Sequence, residues 1–79
     1  MRYYFHHHAE LRMTSRMADV GVDHADALAV IAAPTKTELA DFGRINAWGH
    51  AANGVRIRVT YHPVSGEIRT VAIADSRYK

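Results

Sequence analysis

Pro34 divides this chain, because the apolar residues are spaced helically before it and alternate after it. Upstream, Ala9, Met13, Met17 and Val20 recur at three- and four-residue intervals, which predicts a helix from residue 7 to about residue 20. Gly21 falls where a C-terminal glycine cap belongs. Asp23 is a suitable N-cap for a second helix, with Asp26 three residues on in an acidic version of the capping box. That helix carries Ala25, Leu28, Ala29, Ile31 and Ala32 and is ended by Pro34. Two helices so close in sequence predict an antiparallel hairpin.

Downstream the period is two. Residues 35–39 form an irregular candidate strand and residues 44–50 a better one. Asn53-Gly54 follows, the strongest short-range signal for a tight hairpin turn. Val55, Ile57, Val59 and Tyr61 then alternate with Arg56, Arg58, Thr60 and His62, as in a half-buried strand with one wet face. A turn at residues 63–66 leads to a last strand over residues 67–73, and residues 75–79 read as a polar tail. The aromatic-rich residues 2–6 read as a short opening strand. The expected architecture is α+β: a helical hairpin packed on a three- to four-stranded antiparallel sheet, in a single domain spanning residues 1–79.

The two turns also set a register. Pairing across Asn53-Gly54 places Trp48 opposite Val59 and Gly49 opposite Arg58; pairing across the second turn places Thr60 opposite Arg69 and Arg58 opposite Val71. Trp48, Ile57, Val59, Ile68 and Ala72 then meet the helices. Arg56, Arg58 and Arg69 share the other face beside the small residues Ala47 and Gly49, making a shallow basic surface.

A chain of 79 residues buries only somewhat more than ~60% of its unfolded surface, so its stability margin is thin. It has no cysteine to brace the core or to act as a nucleophile. No stretch approaches the ~20 apolar residues of a membrane span, and the opening residues lack a signal-type apolar run. A soluble, cytoplasmic protein without a membrane partner is expected. The formal charge is +2, and eight of the ten basic residues are arginine, the side chain suited to phosphate and carboxylate; GC-rich codon usage is the plainer explanation.

His8, Arg12 and Arg16 recur every four residues on the first helix. Like charges at that spacing are mildly unfavourable, so the ridge suggests donors offered to an anion. The alternative is a solvated helix side whose arginines pair with Glu10, Asp19 or Asp41. Arg56, Arg58 and Arg69 on exposed strand positions suit a phosphate backbone, against the alternative of a merely solvated sheet face. Proton transfer would fall to His8, His50, Tyr61, His62 or Tyr78. The run His6-His7-His8 invites a metal reading, but adjacent residues do not converge on one ion and no cysteine or carboxylate stands at finger-like spacing. Neither a metal nor a cofactor is expected.

The stretch His8-Ala9-Glu10-Leu11-Arg12-Met13 with Arg16 resembles the His-Ala-x-x-Arg-Met-x-x-Arg opening of small bacterial domains in the RelE/ParE toxin superfamily, its BrnT-like branch above all. Ala33-Pro34, Gly43-Arg44, Trp48-Gly49, Val55-Arg56-Ile57-Arg58-Val59 and Ile68-Arg69-Thr70-Val71 extend the likeness over residues 6–73. The resemblance implies a RelE-like fold and the toxin of a type II toxin–antitoxin pair, a metal-independent endoribonuclease silenced by a cognate antitoxin and acting on RNA, free or on the ribosome. The matching positions are His8, Arg12, Arg16, Arg44 and Arg58. With His8 or His62 handling protons, Arg12, Arg16 and Arg58 would stabilise the transition state, and Arg44, Arg56, Arg58 and Arg69 would bind RNA. Two other readings stand beside it. One is a non-catalytic domain of the same fold that binds nucleic acid or inhibits another protein; the other is an interaction module whose open sheet edge favours a homodimer or complex.

Overall fold

The computed structural model describes residues 2–78, and it is α+β: two helices pack on one face of a five-stranded mixed sheet. Strand β1 (Tyr4–Phe5) leads into helix α1 (His7–Arg12), which continues as a wider, π-wound turn over Met13–Met17. Thr14 and Ser15 supply a local cause. Their hydroxyls donate to the carbonyls of Glu10 and Leu11, at 3.1 and 2.6 Å, competing there with the regular amide ladder. Met13 and Met17 are nonetheless both buried.

The helix closes as the glycine predicts. Val22 N–H donates to Met17 O at 2.8 Å and Gly21 N–H to Ala18 O at 3.1 Å, with Gly21 at φ +75°. This two-bond cap brings Val22 against Met17, both buried. Helix α2 (His24–Ala32) starts on the expected capping box, Asp23 and Asp26 each accepting the other's amide at 3.0 Å. Its buried stripe is Ala27, Val30 and Ile31, which corrects the expected one: of those positions only Ile31 is buried, and Ala25, Leu28, Ala29 and Ala32 are exposed.

Strands β2 (Lys36–Leu39), β3 (Ile45–His50), β4 (Arg56–Tyr61) and β5 (Glu67–Ile73) form an antiparallel meander, and β1 adds to β5 in parallel, giving the order β1-β5-β4-β3-β2. The sheet is therefore larger than the three or four strands expected, and not wholly antiparallel. β1 can join because Gly66 lets the chain pass: a Cβ there would collide with the Arg2 carbonyl, while Tyr4 N–H donates to Gly66 O at 3.0 Å.

The expected register is corrected by one residue at each turn. Gly54 N–H donates to Ala51 O, Ala51 N–H to Val55 O, and Gly54 lies at φ +89°, so three residues rather than two form the loop. Trp48 consequently pairs with Arg58, Ala47 with Val59 and Gly49 with Ile57. At the second turn Thr60 meets Thr70 and Arg58 meets Ala72, with a bulge beside Thr60 and Tyr61. A one-residue slip reverses a strand's faces. Ala47 and Gly49, not Trp48, face the helices, and Val71 and Ile73 do so in place of Ala72.

The small residues matter to packing. A Cβ on Gly49 would lie 3.0 Å from a Val30 methyl, so α2 rests on β3 where that strand has least bulk. α1 lies over β5, and one apolar core, including Ala9, Met17, Val30, Ile57, Ile68 and Val71, fills the space between. Asp26 Oδ1 also accepts the Ala52 amide at 2.9 Å, and Asn53 Nδ2 donates to Val20 O at 2.9 Å. The turn between β3 and β4 is thus fastened to the turn between the helices.

Candidate anion-binding face

The sheet face turned away from the helices is open, and the register sorts its side chains into rows. Lys36, Trp48, Arg58 and Ala72 form one row across β2, β3, β4 and β5; Glu38, Asn46, Thr60 and Thr70 form the next. Lys36 Nζ sits 4.8 Å from the Trp48 ring centroid, a cation–π contact. Thr60 is buried although it faces outward, and its hydroxyl donates to Asn46 Oδ1 at 2.6 Å.

Arg58 and Arg44 give this face its character. Each is half-buried, and in each the Nε–H is enclosed without a hydrogen-bond partner among the described residues. A guanidinium cannot shed its charge, and leaving an enclosed donor unpaired costs about 1–3 kcal/mol. Both arginines are on the wet face, where the remaining N–H groups of each are suited to an anion. Arg44 is steered by a loose ion pair, its Nη2 3.8 Å from Glu67 Oε1, and its guanidinium stands 5.4 Å from the Phe42 ring centroid. His62 lies beside it, against Gly43. The Nδ1 of His62 accepts the amides of Val64 and Ser65 at 3.2 Å each, which leaves its proton on Nε2 and makes the ring a donor.

Arg56 shares the outer face, but its Nη1 donates to Ala74 O at 3.4 Å. It lines an open cleft of about 630 Å³ with His50, Asp75 and Arg77. Asp75 is occupied there: Arg77 donates to both its oxygens, at 2.9 and 2.6 Å, and the Arg56 amide adds a third bond. The Arg77 side chain first, with the Arg56 amide, holds the Asp75 carboxyl well below the ordinary carboxylate range. The residues read as a polar tail thus form a short turn, Ser76–Tyr78, clamped to the sheet.

Arg69 does not join the row of Arg56 and Arg58. The bulge takes it out of the alternation, and its Nη1 lies 2.9 Å from His6 Nε2. The Nδ1 of His6 meanwhile faces the His8 amide at 3.2 Å. A neutral imidazole has one acceptor nitrogen, so the ring accepts from only one of these donors at a time. Desolvation, then the Arg69 charge, pushes the His6 pKa below its ordinary value.

His8, Arg12 and Arg16 are all exposed on the helix layer. The sheet stands between them and Arg58, so the sequence-predicted residues fall into two groups rather than one site. Arg16 lines a separate cleft of about 230 Å³ with Asp19, Val20, Ile73 and Tyr78. Tyr61 belongs to the helix side, edge-on to Tyr3 at 5.8 Å, with burial first and then Tyr3 raising its pKa. Sequence reasoning missed Trp48, Lys36 and Glu67 on the outer face. The signal for Trp48 was its flanks, Ala47 and Gly49, which suit a strand face crossed by a helix.

Comparison with family models, with curated proteins and with solved structures returns no match.

Proposed function

We propose that this chain is a RelE-like toxin of a type II toxin–antitoxin pair that engages RNA on the outer sheet face and cleaves it without a metal. The supporting observation is the pair of enclosed, unpartnered Nε–H groups of Arg44 and Arg58, side chains held charged on an open face. In this reading the two guanidinium groups hold the scissile phosphate and meet the charge that grows on it. The 2′-oxygen attacks phosphorus as its proton passes to the Glu67 carboxylate, and the 5′-oxygen leaves with the proton from His62 Nε2. Arg56 and Lys36 extend the backbone contact, and a cognate antitoxin silences the protein by covering the same face. His8, Arg12 and Arg16 then offer a second cationic surface, suited to ribosomal RNA or to the antitoxin.

A non-catalytic RelE-like binding module is the second reading. It is favoured by the separation of His8 from His62 on opposite sides of the sheet, which leaves no pair of imidazoles to share the proton work. Incubating the purified protein with naked RNA and with translating ribosomes, each with and without chelator, tests both. Cleavage to 2′,3′-cyclic ends, indifferent to chelator, is expected of the toxin. Retention of RNA without cleavage is expected of the module, and neither outcome on either substrate overturns both.

A further inference from the structure

The two edges of the sheet are unequal. β1 is a two-residue strand, too short to template much pairing, whereas β2 has four residues, all exposed, ending in Leu39 at 91% exposure. Its inner side is settled by the ladder. Ala40 N–H donates to Arg44 O at 2.9 Å, and hydrogen-bonded positions alternate along an antiparallel pair. Lys36, Glu38 and Ala40 therefore direct their backbone groups at β3, and Thr37 and Leu39 direct theirs outward.

We infer that β2 pairs with β2 of a second copy of this chain, antiparallel, about a two-fold axis through Thr37. Charge decides the occupant and the register. With Thr37 opposite the partner's Thr37, the outward groups of Thr37 pair across the junction and Leu39 N–H meets the partner's Thr35 carbonyl, Thr35 N–H staying on Trp48 O at 2.8 Å; Lys36 comes opposite the partner's Glu38 while Glu38 meets the partner's Lys36. Within one chain the same two side chains are only loosely paired, at 3.9 Å and each 55% exposed, so neither is committed to the other. Moving the axis by one residue either way sets Lys36 against Lys36 or Glu38 against Glu38, which like-charge repulsion disfavours. Leu39 is set opposite the partner's Thr35 and loses its exposure. The isologous contact closes on itself, giving a dimer rather than a filament. Its sheet has ten strands, and the Lys36–Trp48–Arg58 row of each copy runs on into the Glu38–Asn46–Thr60 row of the other. The inference is independent of the proposed ribonuclease chemistry.

Sedimentation of the intact chain from micromolar to millimolar concentration tests it, with Glu38→Lys, Thr37→Pro and the exchange Lys36→Glu/Glu38→Lys. The parent is expected to dimerise at the upper concentrations. Glu38→Lys places like charges across the axis, and Thr37→Pro removes an outward N–H without touching the β2–β3 ladder; both should shift the population to monomer while circular dichroism stays that of the parent. The exchange restores opposite charges and should restore the dimer. A parent that remains monomeric throughout overturns the inference, as does a dimer that Glu38→Lys leaves intact or the exchange fails to rescue. Rapid exchange of the Thr37 amide in the dimer, read by hydrogen–deuterium exchange, would also overturn it, whatever the variants do.

Discussion

Arg58 stands directly across the ladder from Trp48, on the sheet face turned away from both helices, with its Nε–H enclosed and unpaired. The rest of that half-buried guanidinium stays charged on this face. Under the proposed function, Arg58→Ala should abolish growth arrest on expression and weaken RNA binding, with the slope of log affinity against log salt falling by about 0.7 for one lost single-strand phosphate contact. Arg58→Lys should not restore binding, because an ammonium lacks the planar fork. Filter binding at several salt concentrations, with circular dichroism to confirm the fold, checks both. An unchanged slope in Arg58→Ala would show that this side chain meets no phosphate.

Gly49 and Val30 meet where α2 crosses the other face of the sheet. Gly49→Val should destabilise the protein by about 1–3 kcal/mol, the usual cost of overpacking. Adding Val30→Ala should recover part of that loss, since the two side chains compete for one space. Urea unfolding measures it: the midpoint should fall while the dependence on denaturant stays constant.

Helices, caps and strands were legible in the residues because local physics decides them. The glycine cap at Gly21, the Asp23–Asp26 box and the break at Pro34 each act within a turn or two of themselves. The faces of β3 were not legible, because they hang on one bond, Gly54 N–H to Ala51 O, that makes the loop three residues long. Asn53 was read as a turn residue, yet its side chain also holds Val20 O across the molecule, a contact between residues 33 apart in sequence. The same slip hid Trp48 from the candidate site. The arginines of β4 were placed on the wet face correctly, since alternation within Val55–Tyr61 does not depend on the turn. The contact of Arg69 with His6 was not legible, because the bulge beside it has no sequence signal in Glu67–Ile73.

Asp26 joins the start of α2 to the β3–β4 turn. Partial burial opposes its ionisation, but the amides of Asp23 and Ala52 outweigh that and hold its pKa below the ordinary 3.8. A depressed carboxylate contributes stability that is complete above the unfolded value and is lost as pH falls through the folded one. Unfolding midpoints should therefore hold steady down to about pH 4 and drop below it, and Asp26→Asn should flatten that acid limb. Asp23→Ala should cost about 1 kcal/mol through the lost cap and leave the Ala52 bond in place. A full acid limb in Asp26→Asn would assign the sensitivity to another carboxylate.

His6 and Arg69 tie the first helix to β5, and their contact requires a neutral ring, because an imidazolium has no lone pair to offer a guanidinium. Desolvation and the Arg69 charge depress the His6 pKa below the ordinary 6.5. The unfolded chain then takes up its proton first. Stability from this residue is fully present above pH 6.5 and declines as pH falls toward the lower folded value. An NMR titration of the ring protons should give His6 a midpoint below 6.5, and Arg69→Ala should raise that midpoint by removing one of its two main causes. The same variant should also flatten the decline of the unfolding midpoint between neutral and mildly acidic pH. If Arg69→Ala leaves the His6 midpoint where it was, the 2.9 Å contact is not populated in solution.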